Sequence, residues 1–181
     1  MTLFPRTSPA PAARWRKLLL LSLASFFGGS VYTWSLFAVA LSEKLCAEGV
    51  PAAPGDLAFA FSLAMAGTPF GMVSGGFLND RFGPRLALPF AALLMFSGLF
   101  LASHASTPLG ICLAYGIVYG IGSGAGFTSA TASAIRLFPE RRGLAGGLCA
   151  MAFGMSSIAA PVAAGWLLSR LEAAQAITLF G

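Results

Sequence analysis

Long uncharged stretches are the feature of this chain that most restricts its fold. Asp, Glu, Lys and Arg are all absent from residues 18–42, 57–79, 86–135, 143–169 and 173–181. A helix needs about 20 apolar residues to cross the hydrocarbon core of a bilayer, and a charge at its centre costs at least ~2.5 kcal/mol. Only 9% of the residues are charged and 57% are hydrophobic, whereas soluble domains are roughly 25% charged. The chain is therefore predicted to be an integral membrane protein.

These stretches predict five complete membrane helices and the start of a sixth. A segment in lipid must satisfy its own backbone groups, which leaves α-helices or closed barrels, and the stretches lack the alternating polarity of barrel strands. We predict an all-α integral membrane protein, with a cytoplasmic tail over 1–17 and a transmembrane helix bundle over 18–181. The predicted helices cover about 18–41, 57–78, 86–103, 109–137 and 144–168, and the sixth begins at about 172. Because the sixth helix is not completed, we expect the chain to be a fragment.

The distribution of the basic residues predicts which side of the membrane each loop faces. Cytoplasmic loops of membrane proteins carry an excess of Lys and Arg. Of the eleven basic residues, nine fall on one side of the predicted helices and two on the other. The nine are Arg6, Arg14, Arg16, Lys17, Arg81, Arg85, Arg136, Arg141 and Arg142, and the two are Lys44 and Arg170. We therefore expect a multi-pass protein of the cell (inner) membrane, with a cytoplasmic N-terminus and cytoplasmic loops at 79–85 and 136–143.

Several classes of function fit this chain poorly. The net charge of +5 is spread over short loops, so the expected partner is membrane lipid and not nucleic acid. The three cysteines, Cys46, Cys112 and Cys149, are odd in number and widely spaced, which argues against a disulfide framework or a metal site. The predicted helices contain no paired carboxylates and no nucleophile–base arrangement. We expect no enzyme activity, no catalytic residue, no cofactor and no bound metal.

Two of the predicted helices carry glycines at four-residue spacing. They are Gly67, Gly71 and Gly75 in the second helix and Gly116, Gly120 and Gly124 in the fourth. Such ridges let two helices pack with their backbones close together, and it stays open whether they also let helices slide. Pro69, Pro89 and Pro161 lie inside predicted helices, where each frees a backbone carbonyl and marks a candidate kink.

The loop after the second helix has the sequence GFLNDRFGPR over residues 76–85. Its second glycine permits a sharp turn, and its aspartate precedes the next helix, whose N-terminus favours a negative charge. The loop resembles the signature loop of the major facilitator superfamily, in which Gly is followed by Asp-Arg and then by Gly and a basic residue. In that superfamily the loop braces the two halves of the protein in one conformational state. The resemblance implies a gating role for Gly76, Asp80, Arg81, Gly83 and Arg85.

Arg136 is a further member of this predicted gating site. It ends the fourth helix on the membrane side where Asp80 lies, and the two residues carry opposite charges. We predict that their side chains approach within direct or water-bridged distance.

Three motifs in order resemble a narrower group, the oxalate/formate antiporter family and its monocarboxylate-transporter relatives. The motifs are SVYTWSLF at 30–37, DRFGPR at 80–85 and RLFPERRGLA at 136–145. The resemblance implies the N-terminal helix bundle of a major-facilitator fold, in which aromatic side chains cage a small carboxylate at mid-membrane. The matching residues here are Tyr32, Phe127 and Phe153. Antiporters of the family tend to carry tyrosine at the last two positions, so the resemblance implies a substrate less polar than oxalate.

Tyr119 is a further candidate for binding substrate. It lies one turn from Tyr115 on one face of the fourth helix, and the two tyrosines either line the path or serve in packing or at the membrane interface. A buried carboxylate needs a positive partner, and the predicted helices contain none. In the family that cation comes from a second six-helix half, which we expect to be the missing C-terminal partner of this chain.

These features predict secondary active transport of a small organic anion, a mono- or dicarboxylate, by alternating access. The helix bundle then rocks against the second half around a central site. Two alternatives stay open. One is a non-transporting membrane sensor or scaffold with a transporter-like fold, and the other is a half-transporter that dimerises.

Overall fold

The computed structural model describes residues 11–51 and 54–170, together with Gln175 and Ile177. This part of the chain is helical almost throughout and contains no β-strand. The α-helices are α1 (Pro11–Gly28), α2 (Trp34–Ala47), α3 (Pro54–Phe82), α4 (Pro84–His104), α5 (Pro108–Leu113), α6 (Gly120–Leu137) and α7 (Arg142–Leu168). Two 3-10 segments, Gly29–Thr33 and Pro139–Arg141, and one π-helical segment, Ala114–Tyr119, connect some of them.

Joined in this way, the helices form five segments that are long and apolar enough to cross a membrane. We name them spans 1 to 5 in chain order: Ala12–Ala47, Leu57–Phe82, Pro84–His104, Pro108–Leu137 and Pro139–Leu168. The predicted all-α bundle with five complete membrane helices is thereby confirmed for the described residues. The predicted start of a sixth helix at about 172 lies outside them, except that Gln175 and Ile177 are helical.

Span 1 extends beyond the predicted helix limits at both ends. Helix α1 begins within the segment predicted as a tail, where Arg14 is held because its Nε donates to the Leu137 carbonyl oxygen at 3.0 Å. Helix α2 also continues past its predicted end, and Lys44 Nζ donates to the Ser103 carbonyl oxygen at 2.8 Å. Charged residues mark where the lipid ends, and the helix continues past them. Helix α1 therefore begins before residue 18, and the cytoplasmic tail over 1–17 stays a prediction.

Span 4 lies at the centre of the bundle. In an apolar stretch of 18 residues within span 4, 67% is buried inside the bundle, whereas 22% is buried in the corresponding stretches of spans 2 and 5. A Cβ added at Gly120 would lie 2.7 Å from the Ala64 carbonyl oxygen, and one added at Gly71 would collide with the backbone of Ile121. The two glycine ridges therefore face each other, and spans 2 and 4 pack with their backbones close together.

Three prolines lie inside helices that continue past them, Pro69 in α3, Pro89 in α4 and Pro161 in α7. Each lacks the backbone N–H that would complete the helical hydrogen bond to the carbonyl four residues earlier. A kink at any of the three positions stays a prediction.

Candidate functional site

Span 1 departs from α-helical geometry opposite an irregular part of span 4. Hydrogen bonds join its 3-10 segment to Tyr115 and Tyr119 of the π-helical segment, and both kinds of turn change which backbone groups are paired. Span 4 supplies further donors. The Tyr115 hydroxyl donates to the Val31 carbonyl oxygen and the Ser123 hydroxyl to the Gly28 carbonyl oxygen, each at 2.8 Å. The sequence pattern predicted neither irregular segment, because the groups that stabilise them come from distant parts of the chain.

Three stacked aromatic rings lie in the core beside these hydrogen bonds. The ring centroids of Trp34 and Tyr115 are 3.9 Å apart, and those of Tyr115 and Tyr119 are 4.7 Å apart. Trp34 Nε1 donates to the Leu57 carbonyl oxygen at 2.8 Å. Tyr119 is 1% exposed and its hydroxyl lies 2.6 Å from Ser30 Oγ. Tyr119 is therefore packed inside the bundle in this conformation, and its role in substrate binding stays a prediction.

Replacing Tyr115 with Phe is expected to lower the free energy of unfolding by about 0.5–1.5 kcal/mol, because it removes a buried hydrogen bond to the Val31 carbonyl oxygen, which keeps the one from the Trp34 backbone N–H. Tyr119→Phe is the matched comparison. Its loss is expected to be of similar size, since the Ser30 hydroxyl likewise keeps one hydrogen bond, to the Phe27 carbonyl oxygen at 2.6 Å. Thermal unfolding of the protein in detergent measures both variants. Unchanged stability of Tyr115→Phe would contradict a stabilising role for its hydrogen bond to Val31.

Four aromatic side chains from spans 1, 2, 4 and 5 meet at one point of the bundle. We call Tyr32, Phe61, Phe127 and Phe153 the aromatic cluster. The Phe153 ring centroid lies 6.1 Å from that of Tyr32 and 4.8 Å from that of Phe127, and Tyr32 lies 6.4 Å from Phe61. Tyr32 is 42% exposed, so part of this residue lies open at the surface of the bundle. The resemblance implied three of the four residues. Nothing in the sequence distinguishes Phe61 among sixteen phenylalanines.

Close packing of spans 1 and 5 positions the aromatic cluster. A Cβ added at Gly29 would collide with the Phe153 carbonyl oxygen and lie 2.8 Å from Ser156 Cβ, and one at Gly28 would lie 3.6 Å from the Phe153 ring. Glycine therefore allows α7 to approach span 1 and sets Phe153 beside Tyr32. The cluster contains no formal charge, so it offers a ligand ring faces, ring edges and one hydroxyl.

The predicted approach of Arg136 to Asp80 is confirmed. The Arg136 guanidinium donates to an Asp80 carboxylate oxygen and so joins the end of span 4 to the end of span 2. The Arg136 side chain is 56% exposed and that of Asp80 is 65% exposed. Gly83 turns the chain into α4 with a φ of 77°, in the left-handed region that favours glycine.

The other residues of the predicted gating loop make contacts of their own. A Cβ added at Gly76 would lie 3.5 Å from Thr128 Cγ2, at ordinary contact distance. The Arg81 guanidinium lies 5.5 Å from the centre of the Phe82 ring. Arg85 lines a cleft between spans 1, 3 and 4. A gating role for these residues stays a prediction.

A second ion pair, which the sequence pattern did not reveal, connects the start of span 1 to the loop between spans 4 and 5. Arg14 Nη2 lies 2.6 Å from Glu140 Oε1, and the guanidinium lies 4.7 Å from the centre of the Phe138 ring. The sequence feature that could have indicated this ion pair is that Glu140 is the only acidic residue within 136–143. Arg14 therefore acts in tertiary packing as well as in the charge asymmetry across the membrane.

Comparison with protein families identifies the group to which this bundle belongs. The model of the Major Facilitator Superfamily matches residues 18–181. The chain belongs to the major facilitator superfamily. With five apolar spans among its described residues, this superfamily member is a multi-pass membrane protein.

Curated relatives of this superfamily member are named as transporters. One is the "Uncharacterized MFS-type transporter YhjX" of Escherichia coli strain K12, 33% identical over 145 residues, which cover 80% of this chain and 35% of the relative. The oxalate:formate antiporter of Oxalobacter formigenes is 34% identical over 151 residues, 78% of this chain and 33% of the relative. Monocarboxylate transporter 13 of Bos taurus is 33% identical over 161 residues, 88% of this chain and 37% of the relative.

These matches confirm the resemblance that the three motifs carried. The chain spans about a third of the length of the curated relatives it matches.

Proposed function

We propose that this chain forms the N-terminal bundle of a secondary transporter that moves a small organic anion, a mono- or dicarboxylate, across the inner membrane by alternating access. The observation that carries the proposal is the aromatic cluster, in which Tyr32, Phe127 and Phe153 come together from three different spans. Two relatives are named an oxalate:formate antiporter and a monocarboxylate transporter, which supports a carboxylate as the substrate.

The chemistry of the aromatic cluster limits what this chain contributes to binding. The Tyr32 hydroxyl donates a hydrogen bond to the carboxylate, and the positively polarised ring edges of Phe127 and Phe153 approach it. A desolvated anion also needs a cation, and the spans provide none in the stretches that cross the lipid. A second six-helix half supplies that cation. Because two of the three rings lack hydroxyls, the site favours a carboxylate with an apolar body over oxalate.

Uptake measurements test the substrate class. The full-length transporter that contains this chain is reconstituted into liposomes and offered labelled formate, lactate, benzoate and oxalate. We expect uptake of at least one monocarboxylate at a higher rate than oxalate. Tyr32→Phe is expected to reduce that uptake roughly ten- to 100-fold, because it removes a hydrogen bond to a charged group.

Two substitutions of the same kind test whether uptake depends on the aromatic cluster or on any phenylalanine of the bundle. Phe153→Leu is expected to reduce uptake by about two- to tenfold, the contribution of one aromatic contact. Phe70→Leu makes the same chemical change in span 2 at a side chain that is 73% exposed and outside the cluster, and uptake is expected to stay at the wild-type rate. Absence of uptake of every carboxylate tested, or equal losses in the two variants, would overturn the proposal.

In the proposed orientation, the N-terminus and the loops at 79–85 and 136–143 face the cytoplasm. The concentration of nine of the eleven basic residues at that end supports it. Cys46 is exposed at the other end of span 1. A membrane-impermeant maleimide is expected to label Cys46 in intact cells, and a cysteine substituted for Arg142 only in opened membranes. Cys46→Ser alone is the control for background labelling, and Arg142→Cys is made in that variant so that Cys46 does not contribute. Labelling of Arg142→Cys in this background in intact cells would contradict the proposed orientation.

A further inference from the structure

A cleft of about 420 Å³ lies between spans 1, 3 and 4, at the end of the bundle that carries most of the basic residues. Three cations line it, Lys17, Arg85 and Arg136, and its apolar walls include Leu20 and Leu21. The cleft shares no residue with the aromatic cluster. It therefore combines positive charge and apolar surface at a place that the proposed transport site does not use.

The positive charge in the cleft is only partly neutralised by the protein. Arg136 is paired with Asp80. Lys17 and Arg85 are both exposed, and neither lies within ion-pair distance of a carboxylate in the described part of the chain. The N-terminus of α4, whose second residue is Arg85, adds the partial positive charge of a helix start. The cleft therefore favours an anion.

The depth of the cleft identifies the kind of anion. Lys17 directly precedes the uncharged stretch 18–42, and Arg85 directly precedes the uncharged stretch 86–135. The two cations thus lie at the boundary between lipid and water, where the phosphates of the headgroups are found. Leu20 is 66% exposed on the lipid side of that boundary. A ligand that suits both parts of the cleft is anionic at one end and apolar at the other.

We propose that this cleft binds an anionic phospholipid, with the phosphate beside Lys17 and Arg85 and the acyl chains along Leu20 and Leu21. Basic pockets between membrane helices bind lipid headgroups in this manner. The cations give affinity for the phosphate, and the leucines distinguish a lipid from a soluble phosphate, which gains nothing from apolar walls.

Native mass spectrometry of the full-length protein in detergent tests the proposal without measuring transport, so its result does not depend on the proposed function. Phosphatidylglycerol and phosphatidylcholine with identical acyl chains are titrated separately. We expect phosphatidylglycerol to bind more tightly. In the double variant Lys17→Gln with Arg85→Gln, its apparent affinity is expected to fall about 25-fold, roughly fivefold for each cation, and that of phosphatidylcholine to stay within about twofold of wild type.

A matched double variant tests whether the lipid binds to the cleft or responds only to the charge at this end of the bundle. Arg16→Gln with Arg142→Gln removes the same charge from the same end of the bundle, at exposed residues that do not line the cleft. We expect this variant to keep its affinity for phosphatidylglycerol. The charge-preserving pair Lys17→Arg with Arg85→Lys is expected to bind the lipid as wild type does.

Three results would overturn the proposal. Equal losses in the two Gln double variants would mean that the lipid responds only to surface charge. Equal binding of the two lipids by the wild type would exclude headgroup recognition. Displacement of phosphatidylglycerol by inorganic phosphate, at an ionic strength matched with sodium chloride, would indicate a site for a soluble anion.

Discussion

Replacing Gly71 with Ala is expected to lower the free energy of unfolding by about 1–3 kcal/mol, the usual cost of overpacking a tightly packed interface. The methyl group at this position would collide with the backbone of Ile121. A flexible side chain could rotate away, but a backbone carbonyl inside a helix cannot move alone, so spans 2 and 4 have to separate. Separation also weakens the neighbouring close approaches of the same seam, such as that between Gly124 and the Thr68 carbonyl oxygen.

The matched control for this prediction is Gly147→Ala. Gly147 is also inside a membrane helix, α7, but a Cβ added there meets no atom within 4 Å. The substitution is therefore expected to leave stability unchanged or to raise it by up to ~1 kcal/mol, since alanine favours the helix over glycine. Unfolding of each purified variant in detergent, followed by circular dichroism, provides the comparison. Indistinguishable unfolding of Gly71→Ala and Gly147→Ala would show that the seam is not tightly packed.

Asp80→Asn is expected to reduce the transport rate by up to about fivefold, the effect on a rate of about 1 kcal/mol, with little change in stability. The ion pair with Arg136 is exposed at both side chains, and exposed pairs contribute less than ~1 kcal/mol. Spans 2 and 4 are already held together by their glycine seam. Loss of the pair therefore leaves the bundle folded, and the expected effect falls on the conformational step of the proposed transport cycle.

Two measurements on the same preparation separate these effects. Uptake by reconstituted full-length protein reports the transport rate, and thermal unfolding in detergent reports stability. Arg142→Gln is the control, because it removes an exposed charge from the same end of the bundle that lies in no ion pair among the described residues. If Asp80→Asn transports at the wild-type rate, the pair has no gating role. If Asp80→Asn unfolds as readily as Gly71→Ala, the pair is structural.

The features predicted correctly from the sequence depend on local spacing. Uncharged stretches predict the spans because the cost of placing a charge in lipid applies to each residue separately. The glycine ridges follow from four-residue spacing alone, since residues at that spacing share one face of a helix. The pairing of Asp80 with Arg136 required only that two oppositely charged residues lie at the same end of neighbouring helices.

The features that the sequence did not predict depend on partners far along the chain. Tyr115 donates to the Val31 carbonyl across 84 residues, and Arg14 pairs with Glu140 across 126 residues. Without these partners, neither the irregular segment of span 1 nor the early start of α1 is apparent. Local propensity describes what a helix does alone, whereas the Tyr115 hydroxyl and the Arg14 guanidinium find these partners only when the spans pack together.

The sequence by itself determined that this is an all-α membrane bundle, where its five described spans lie, and to which superfamily it belongs. Only the tertiary structure decided that Phe61 joins the aromatic cluster and that Tyr119 is packed inside. The physical reason is the solvent. In water the polar face of a helix shows which side is outside, but in lipid both the buried and the lipid-facing sides are apolar. Periodicity therefore cannot distinguish them, and the packing of neighbouring helices determines where each ring lies.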